Sequence, residues 1–123
     1  MSRFTTAINL LDAVTADTTG QYVDISMRTM KSIQFVASGI SGGNGVFKVY
    51  VSNDGVNFVQ YNRLTSNVTN TNTQNDTRVD SVTLSSNTNV IYFIPHDDHF
   101  RYIRCDVDVT TNGTYTAILS ALD

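Results

Sequence analysis

Three segments of the chain alternate between apolar and polar side chains with a period of two, and this pattern constrains the fold more than any other feature. They are residues 32–38, 46–52 and 100–109. Successive side chains of a β-strand point to opposite faces, so each segment is predicted to be a strand with one buried face. We expect the core to contain Ile33, Phe35, Phe47, Val49, Val51, Phe58, Ile103, Cys105, Val107 and Ile118.

Turn-forming residues separate these segments. Four glycines fall within residues 39–45, and Asp54-Gly55 and Asn112-Gly113 are dipeptides that favour β-hairpins. The composition also disfavours helices, because all eleven acidic residues are Asp and only two residues are Lys. Ser, Thr and Asn together make up 40 of the 123 residues.

About eight strands separated by turns, and by a long surface loop at residues 62–76, predict an all-β fold. The predicted fold is a single antiparallel β-sandwich domain over residues 1–123 that resembles a jelly roll. A closed barrel is the alternative architecture. Residues 1–19 have two interpretations, an N-terminal arm that reaches away from the sandwich or an ordinary first strand.

The chain contains few groups that could carry out chemistry. His96, Asp97 and His99 are the only clustered metal-ligand candidates, with a solvated loop as the alternative, and Cys105 falls on a buried strand face. We therefore expect no enzyme and no cofactor. The net charge of −3 disfavours nucleic acid as a partner. The absence of a run of 18 apolar residues predicts no membrane span, and residues 1–6 lack the apolar core of a signal peptide.

Tyrosines are the one group of side chains that favours binding. Tyr50, Tyr92 and Tyr102 are expected to face outward together with Val36, where they would suit contact with other chains. A glycan would need an aromatic platform beside polar groups, and Tyr61, Asn62 and Arg63 are the candidates for it.

Two segments carry a resemblance to known families. The run FKVYVSNDGVNF at residues 47–58, followed later by FRYIR at residues 100–104 and Gly113-Thr114-Tyr115, resembles small β-sandwich virion proteins of tailed bacteriophages. These are capsid decoration (cement) or head-fibre proteins. The same two segments are also similar to discoidin-type jelly rolls.

The phage resemblance implies a capsid decoration protein that binds the outer shell and stabilises it through multivalent non-covalent contacts. It implies the major capsid protein or another virion protein as the partner, a homo-oligomer with a trimer favoured, and a location in virions assembled in the host cytoplasm. The alternative is a carbohydrate-binding module. The segments that contribute least to the predicted core are expected to contact the capsid. Their candidate contact residues are Phe4, Ile8, Leu10, Leu11, Gly42, Gly43, Asn44, Tyr61 and Arg63.

Overall fold

The computed structural model of the chain describes residues 5–26, 28–66, 77–95 and 97–122. The predicted contact residue Phe4 and residues 67–76 of the predicted surface loop lie outside the described residues. The described residues form strands, turns and bends, and they contain no helix that could cross a membrane. The twelve strands are β1 (Thr5–Val14), β2 (Thr18–Thr19), β3 (Val23–Asp24), β4 (Met30–Ser38), β5 (Asn44–Ser52), β6 (Val59–Gln60), β7 (Leu64–Ser66), β8 (Thr77–Val79), β9 (Val82–Leu84), β10 (Thr88–Ile94), β11 (Tyr102–Thr110) and β12 (Thr114–Leu122).

The strands form two antiparallel sheets with the core between them. Sheet A has the order β1-β12-β4-β10-β7-β8, and sheet B has the order β2-β11-β5-β6, with β3 also paired to β11 and β9 to β5. The chain changes sheet at most connections, including β4 to β5 and each step from β9 to β12. This connectivity is that of a jelly roll. The predicted antiparallel sandwich is therefore confirmed, with several short strands beyond the eight expected.

The core lies where the inner faces of β4, β5, β11 and β12 meet. The Phe47 ring centroid is 4.8 Å from that of Phe35 and 5.9 Å from that of Tyr115, so aromatic rings from both sheets interlock. Eight of the ten predicted core residues are buried, with exposed fractions of at most 8%: Ile33, Phe35, Phe47, Val49, Val51, Ile103, Cys105 and Val107.

The other two core predictions, Ile118 and Phe58, are wrong. On β12 the inner face carries Tyr115, Ala117 and Leu119, so Ile118 lies on the outer face of sheet A opposite Gln34. Alanine at an inner position weakens the apolar periodicity, so the sequence pattern does not show which residues of this strand point inward. Phe58 is half-buried on the outer face of sheet B, where its ring packs against Tyr22 and Arg104.

The N-terminal arm interpretation is wrong for residues 5–14, because these residues form β1 at the edge of sheet A. The pairing with β12 runs from Thr5 opposite Leu122 to Val14 opposite Tyr115. Register shifts on either side of Leu11 allow the adjacent Leu10 and Leu11 both to be buried, with 4% and 3% of their surface exposed. These two leucines are core residues and are not open to a partner.

The hairpin predicted at Asn112-Gly113 is wrong as well. β11 belongs to sheet B and β12 to sheet A, so the turn between them crosses from one sheet to the other. The positive φ angles fall at Thr111 (73°) and Gly113 (118°). The Tyr115 hydroxyl donates a hydrogen bond of 2.8 Å to the Asn112 carbonyl oxygen, and this bond links the turn to the buried Tyr115 side chain.

The hairpin predicted around Asp54-Gly55 is confirmed, and it joins β5 to β6. Asp54 Oδ1 accepts hydrogen bonds from the backbone N–H groups of Asn57 (2.8 Å) and Val56 (2.9 Å). The Ser52 hydroxyl donates to the same carboxylate at 2.8 Å. These bonds favour the ionised form and hold the pKa of Asp54 well below its usual range.

The fold should therefore lose stability in acid through Asp54. A folded-state pKa below the unfolded value means that the contribution is present above about pH 4 and is lost as the pH falls further. We expect the difference in unfolding free energy between wild type and Asp54→Ala to shrink from pH 7 to pH 2. Denaturant unfolding across this range measures it, with Asp12→Ala at an exposed β1 position as the control. A difference that does not change with pH would contradict this assignment.

Candidate functional site

The predicted contact residues Gly42, Gly43 and Asn44 lie at one end of the sandwich, which we call the glycine end. It consists of three connections between the sheets, namely residues 39–43, 85–87 and 111–113. β5 begins at Asn44, so the loop is shorter than the sequence suggested. No residue in these three connections carries a charge.

Two asparagine side chains hold the glycine end together. Asn87 Oδ1 accepts a hydrogen bond of 2.9 Å from the Ile40 backbone N–H. Asn112 Oδ1 accepts one of 2.9 Å from the Ser41 N–H, and Asn112 Nδ2 donates one of 2.8 Å to the Ser41 carbonyl oxygen. The three loops are thereby fixed relative to one another before any partner binds, which lowers the entropy cost of binding.

Glycine is required at one of these positions by a close backbone approach. A Cβ at Gly43 would lie 2.6 Å from the Thr110 carbonyl oxygen and 2.8 Å from that of Asn112, both of them backbone atoms. Gly42 is exposed, with a φ of +73° and open space around it. Of the predicted contacts here, Gly43 shapes the loop, whereas Gly42 and the neighbouring Ser41 face solvent.

The predicted glycan platform around Tyr61 is wrong, because the Tyr61 ring is buried and only 7% of its surface is exposed. Its hydroxyl donates a hydrogen bond of 2.6 Å to Asp98 Oδ2, and its ring packs on Phe100. Arg63 Nη1 donates to Asp98 Oδ1 at 2.9 Å. Burial, followed by the hydrogen bond and charge of Asp98, raises the pKa of Tyr61. This network braces the end of the sandwich opposite the glycine end.

Lys31 completes this network from the inner face of β4. Its side chain is buried, its Nζ donates to the Asp98 carbonyl oxygen at 3.3 Å, and it lies over the Phe100 ring. Burial lowers the pKa of Lys31, against the opposing effect of the Asp98 charge. Asp98 is therefore the common partner of Lys31, Tyr61 and Arg63, whereas Arg63 Nε is buried without a hydrogen-bond partner.

The structure describes two of the three predicted metal-ligand candidates. Asp97 and His99 are exposed, and His96 lies outside the described residues. The described residues contain no group of three metal-ligating side chains. Cys105 is fully buried, and burial raises the pKa of its thiol.

The outer face of sheet B carries charge and stacked aromatic rings. The Arg104 guanidinium lies 4.6 Å from the Tyr50 ring centroid and 4.8 Å from that of Phe58. It also donates to both carboxylate oxygens of Asp106, at 3.0 and 3.2 Å. Tyr22 lies at the end of this stack, 52% exposed. The prediction that Tyr50 faces outward is confirmed, although its ring is half-buried in the stack.

Sheet A presents a different outer face, which the sequence analysis missed. Its central strands β12, β4 and β10 direct uncharged side chains outward, and Met30, Ile91 and Phe93 among them are 58%, 40% and 38% exposed. Tyr92 points inward against Phe35, so its predicted outward position is wrong. The outward residues are Thr114, Thr116, Ile118, Ser120, Met30, Ser32, Gln34, Val36, Ser38, Asn89, Ile91 and Phe93.

These features define a jelly-roll β-sandwich in which the outer face of sheet B is charged and the outer face of the three central strands of sheet A is uncharged. No protein-family model and no curated protein matches the chain. Among solved structures it is similar to the SPBc2 prophage-derived protein YomS, with a TM-score of 0.62 and 17% sequence identity. The alignment covers 100% of this chain and 96% of that protein. The two chains therefore share their fold over nearly their whole lengths.

Proposed function

We propose that this chain is a structural protein of a bacteriophage particle, and that it decorates the capsid and stabilises the shell by multivalent non-covalent contacts with the major capsid protein. The observation that carries the proposal is the fold shared with a prophage-derived protein along nearly the full length of both chains. A fold by itself does not define a function. The surfaces of this chain supply the second part of the argument.

The glycine end is the surface that suits contact with a capsid. Its loops are fixed in advance by Asn87 and Asn112, and its exposed positions, including Ser41 and Gly42, are small and uncharged. Small side chains allow a partner to approach the backbone closely, and backbone groups then provide hydrogen bonds. This surface replaces the N-terminal segment as the proposed capsid contact, because β1 is part of sheet A.

Decoration requires little affinity from each single contact. A standard interface buries about 800 Å² per partner, and several linked contacts bind far more tightly than one. A symmetric homo-oligomer, with a trimer at a local threefold position of the shell, would provide that multivalency. Assembly would take place in the host cytoplasm, where the virion is built.

The experiment uses heads from a deletion mutant of the phage that encodes the chain. Purified chain is added, binding is measured by co-sedimentation, and DNA release on heating is followed with a dye. We expect the chain to sediment with the heads and to raise the temperature of DNA release. Ser41→Arg at the glycine end should weaken binding at least about tenfold, since a large charged side chain blocks the contact.

Val56→Arg is the matched control, because Val56 is 79% exposed on the hairpin loop between β5 and β6, at the opposite end of the sandwich. It should bind as the wild type does. A wild-type chain that stays in the supernatant, or that binds without changing DNA release, would refute the decoration role.

A carbohydrate-binding role is the second candidate, and the exposed Tyr22 favours it. The Tyr22 ring centroid lies 5.2 Å from that of Tyr102, and Arg101 and Asp24 pair beside them at 3.7 Å. An aromatic ring next to a carboxylate and a guanidinium suits a sugar with vicinal hydroxyls. A glycan array would support this role if Tyr22→Ala abolished the signal, and an array without hits would exclude it.

A further inference from the structure

The outer face of β12, β4 and β10, the central strands of sheet A, is uncharged and is not covered by any other described part of the chain. Registered pairs place Ile91, Gln34 and Ile118 in one row across three strands, and Phe93 lies in the next row beside Ser32. Directly opposed residues in antiparallel strands point to the same side. The exposed apolar side chains therefore form one continuous patch, and such patches mark interaction sites.

The charge distribution identifies the kind of partner that this face fits. Its twelve outward residues on β12, β4 and β10 carry no charge. The flanking strands of sheet A carry the exposed Asp12 on β1 and Arg78 on β8, and the outer face of sheet B carries Lys48, Arg104 and Asp106. The chain has a net charge of −3, so two copies repel each other in general. Contact centred on β12, β4 and β10 brings no like charges together, as a surface that contacts a copy of itself requires.

The size of the face falls between that of a packing contact and that of a standard interface. The five hydrogen-bonded strands β1, β12, β4, β10 and β7 contain 10, 9, 9, 7 and 3 residues. At about 3.4 Å per residue and about 4.8 Å between strands they cover ~600 Å². This area is below the ~800 Å² per partner of a standard stable interface and above the ~400 Å² per partner of most crystal-packing contacts.

We infer that the outer face of sheet A is the contact between copies of this chain in a closed symmetric oligomer. Met30, Ile91 and Phe93 provide the exposed apolar surface, and Ile118 and Val36 extend it. The inference rests on the homo-oligomer of the proposed function and names the surface through which its copies meet, and its test in solution needs no capsid.

The test measures the mass of the purified full-length chain by light scattering and sedimentation equilibrium at concentrations up to 100 μM. We expect the wild type to have two or more times the chain mass of 13.6 kDa. Phe93→Lys should raise the dissociation constant at least about 100-fold, because the substitution appears on every copy in the interface. Ile91→Lys should act in the same way.

Val56→Lys is the control, since it adds the same charge at a position that is 79% exposed on the hairpin loop. It should leave the oligomer intact, and circular dichroism should show the wild-type fold for each variant. If a lysine variant fails to fold, Phe93→Ser makes the same test without adding charge.

A wild-type chain that is monomeric at 100 μM overturns the inference, and so does a folded Phe93→Lys chain with the wild-type mass. These results are separate from those of the decoration experiment. A monomer that binds heads would refute only the self-contact, whereas an oligomer that ignores heads would refute only the decoration role.

Discussion

Truncation of Phe47 to alanine is expected to lower the free energy of unfolding by about 3–5 kcal/mol. Phe47 lies on β5 in sheet B and is fully buried. Its ring packs against Phe35 and Tyr115, which belong to sheet A, so the substitution opens a cavity between the two sheets. The cost combines lost apolar burial with the lost contacts of the residues that line the cavity.

Val46→Ala is the matched control for this measurement. Val46 is the preceding residue of the same strand, but it points to the outer face of sheet B and is half-exposed. We expect its change in stability to be below about 1 kcal/mol. Guanidinium unfolding followed by circular dichroism measures both variants. Equal losses for the two variants would show that the inner face of β5 has been assigned wrongly.

A loss of about 3 kcal/mol, at the upper end of the usual cost of overpacking, is expected for Gly20→Ala. Gly20 lies between β2 and β3, and its N–H donates to the Cys105 carbonyl oxygen at 3.1 Å. An added Cβ would overlap that oxygen and would lie 2.9 Å from the Leu10 carbonyl oxygen. Cys105 is on β11 and Leu10 is on β1, so the obstructing atoms belong to the backbones of both sheets and cannot easily move.

Gly39→Ala separates this steric effect from the general cost of replacing a glycine. Gly39 has a φ of +65° with open space where a Cβ would lie, so only the backbone strain of about 1–2 kcal/mol is expected. The melting temperature of Gly20→Ala should fall well below that of Gly39→Ala. The reverse order would mean that β1 and β11 do not approach each other at Gly20.

Strands with strict alternation could be predicted from the sequence, because their period-two pattern is a local property. Residues 32–38, 46–52 and 100–109 all correspond to strands of the structure, β4, β5 and β11. On β1 and β12 the period-two pattern did not predict which side chains are buried, because the pattern is irregular there. Register shifts bury both Leu10 and Leu11 on β1, and alanine residues occupy inner positions on β12.

Strand pairing could not be predicted, because it depends on contacts between residues far apart in the chain. Asn112-Gly113 is typical of a hairpin, yet the flanking strands belong to different sheets. Likewise, nothing near Tyr61 in the sequence indicates Asp98, the residue that holds its hydroxyl in the core. The prediction of a glycan platform at Tyr61 is wrong because this distant contact buries the ring.

The candidate surfaces were only partly predictable. The glycine-rich loop was recognisable from its composition, but its bracing by Asn87 and Asn112 requires the three loops to meet in space. The outer face of sheet A was missed because Met30, Ile91 and Phe93 become one patch only when β4 and β10 are paired in register. Short apolar runs such as residues 90–94 do not show by themselves which side chains face outward.

The central claim is that this chain is a component of a phage particle. Quantitative mass spectrometry of density-gradient-purified phage particles from cultures that express the chain tests this claim most directly. The account predicts that the chain co-purifies with the particles in a fixed ratio to the major capsid protein, and that gold-labelled antibody against it marks the heads. A chain that is abundant in the lysate of infected cells but absent from the purified particles would contradict the claim.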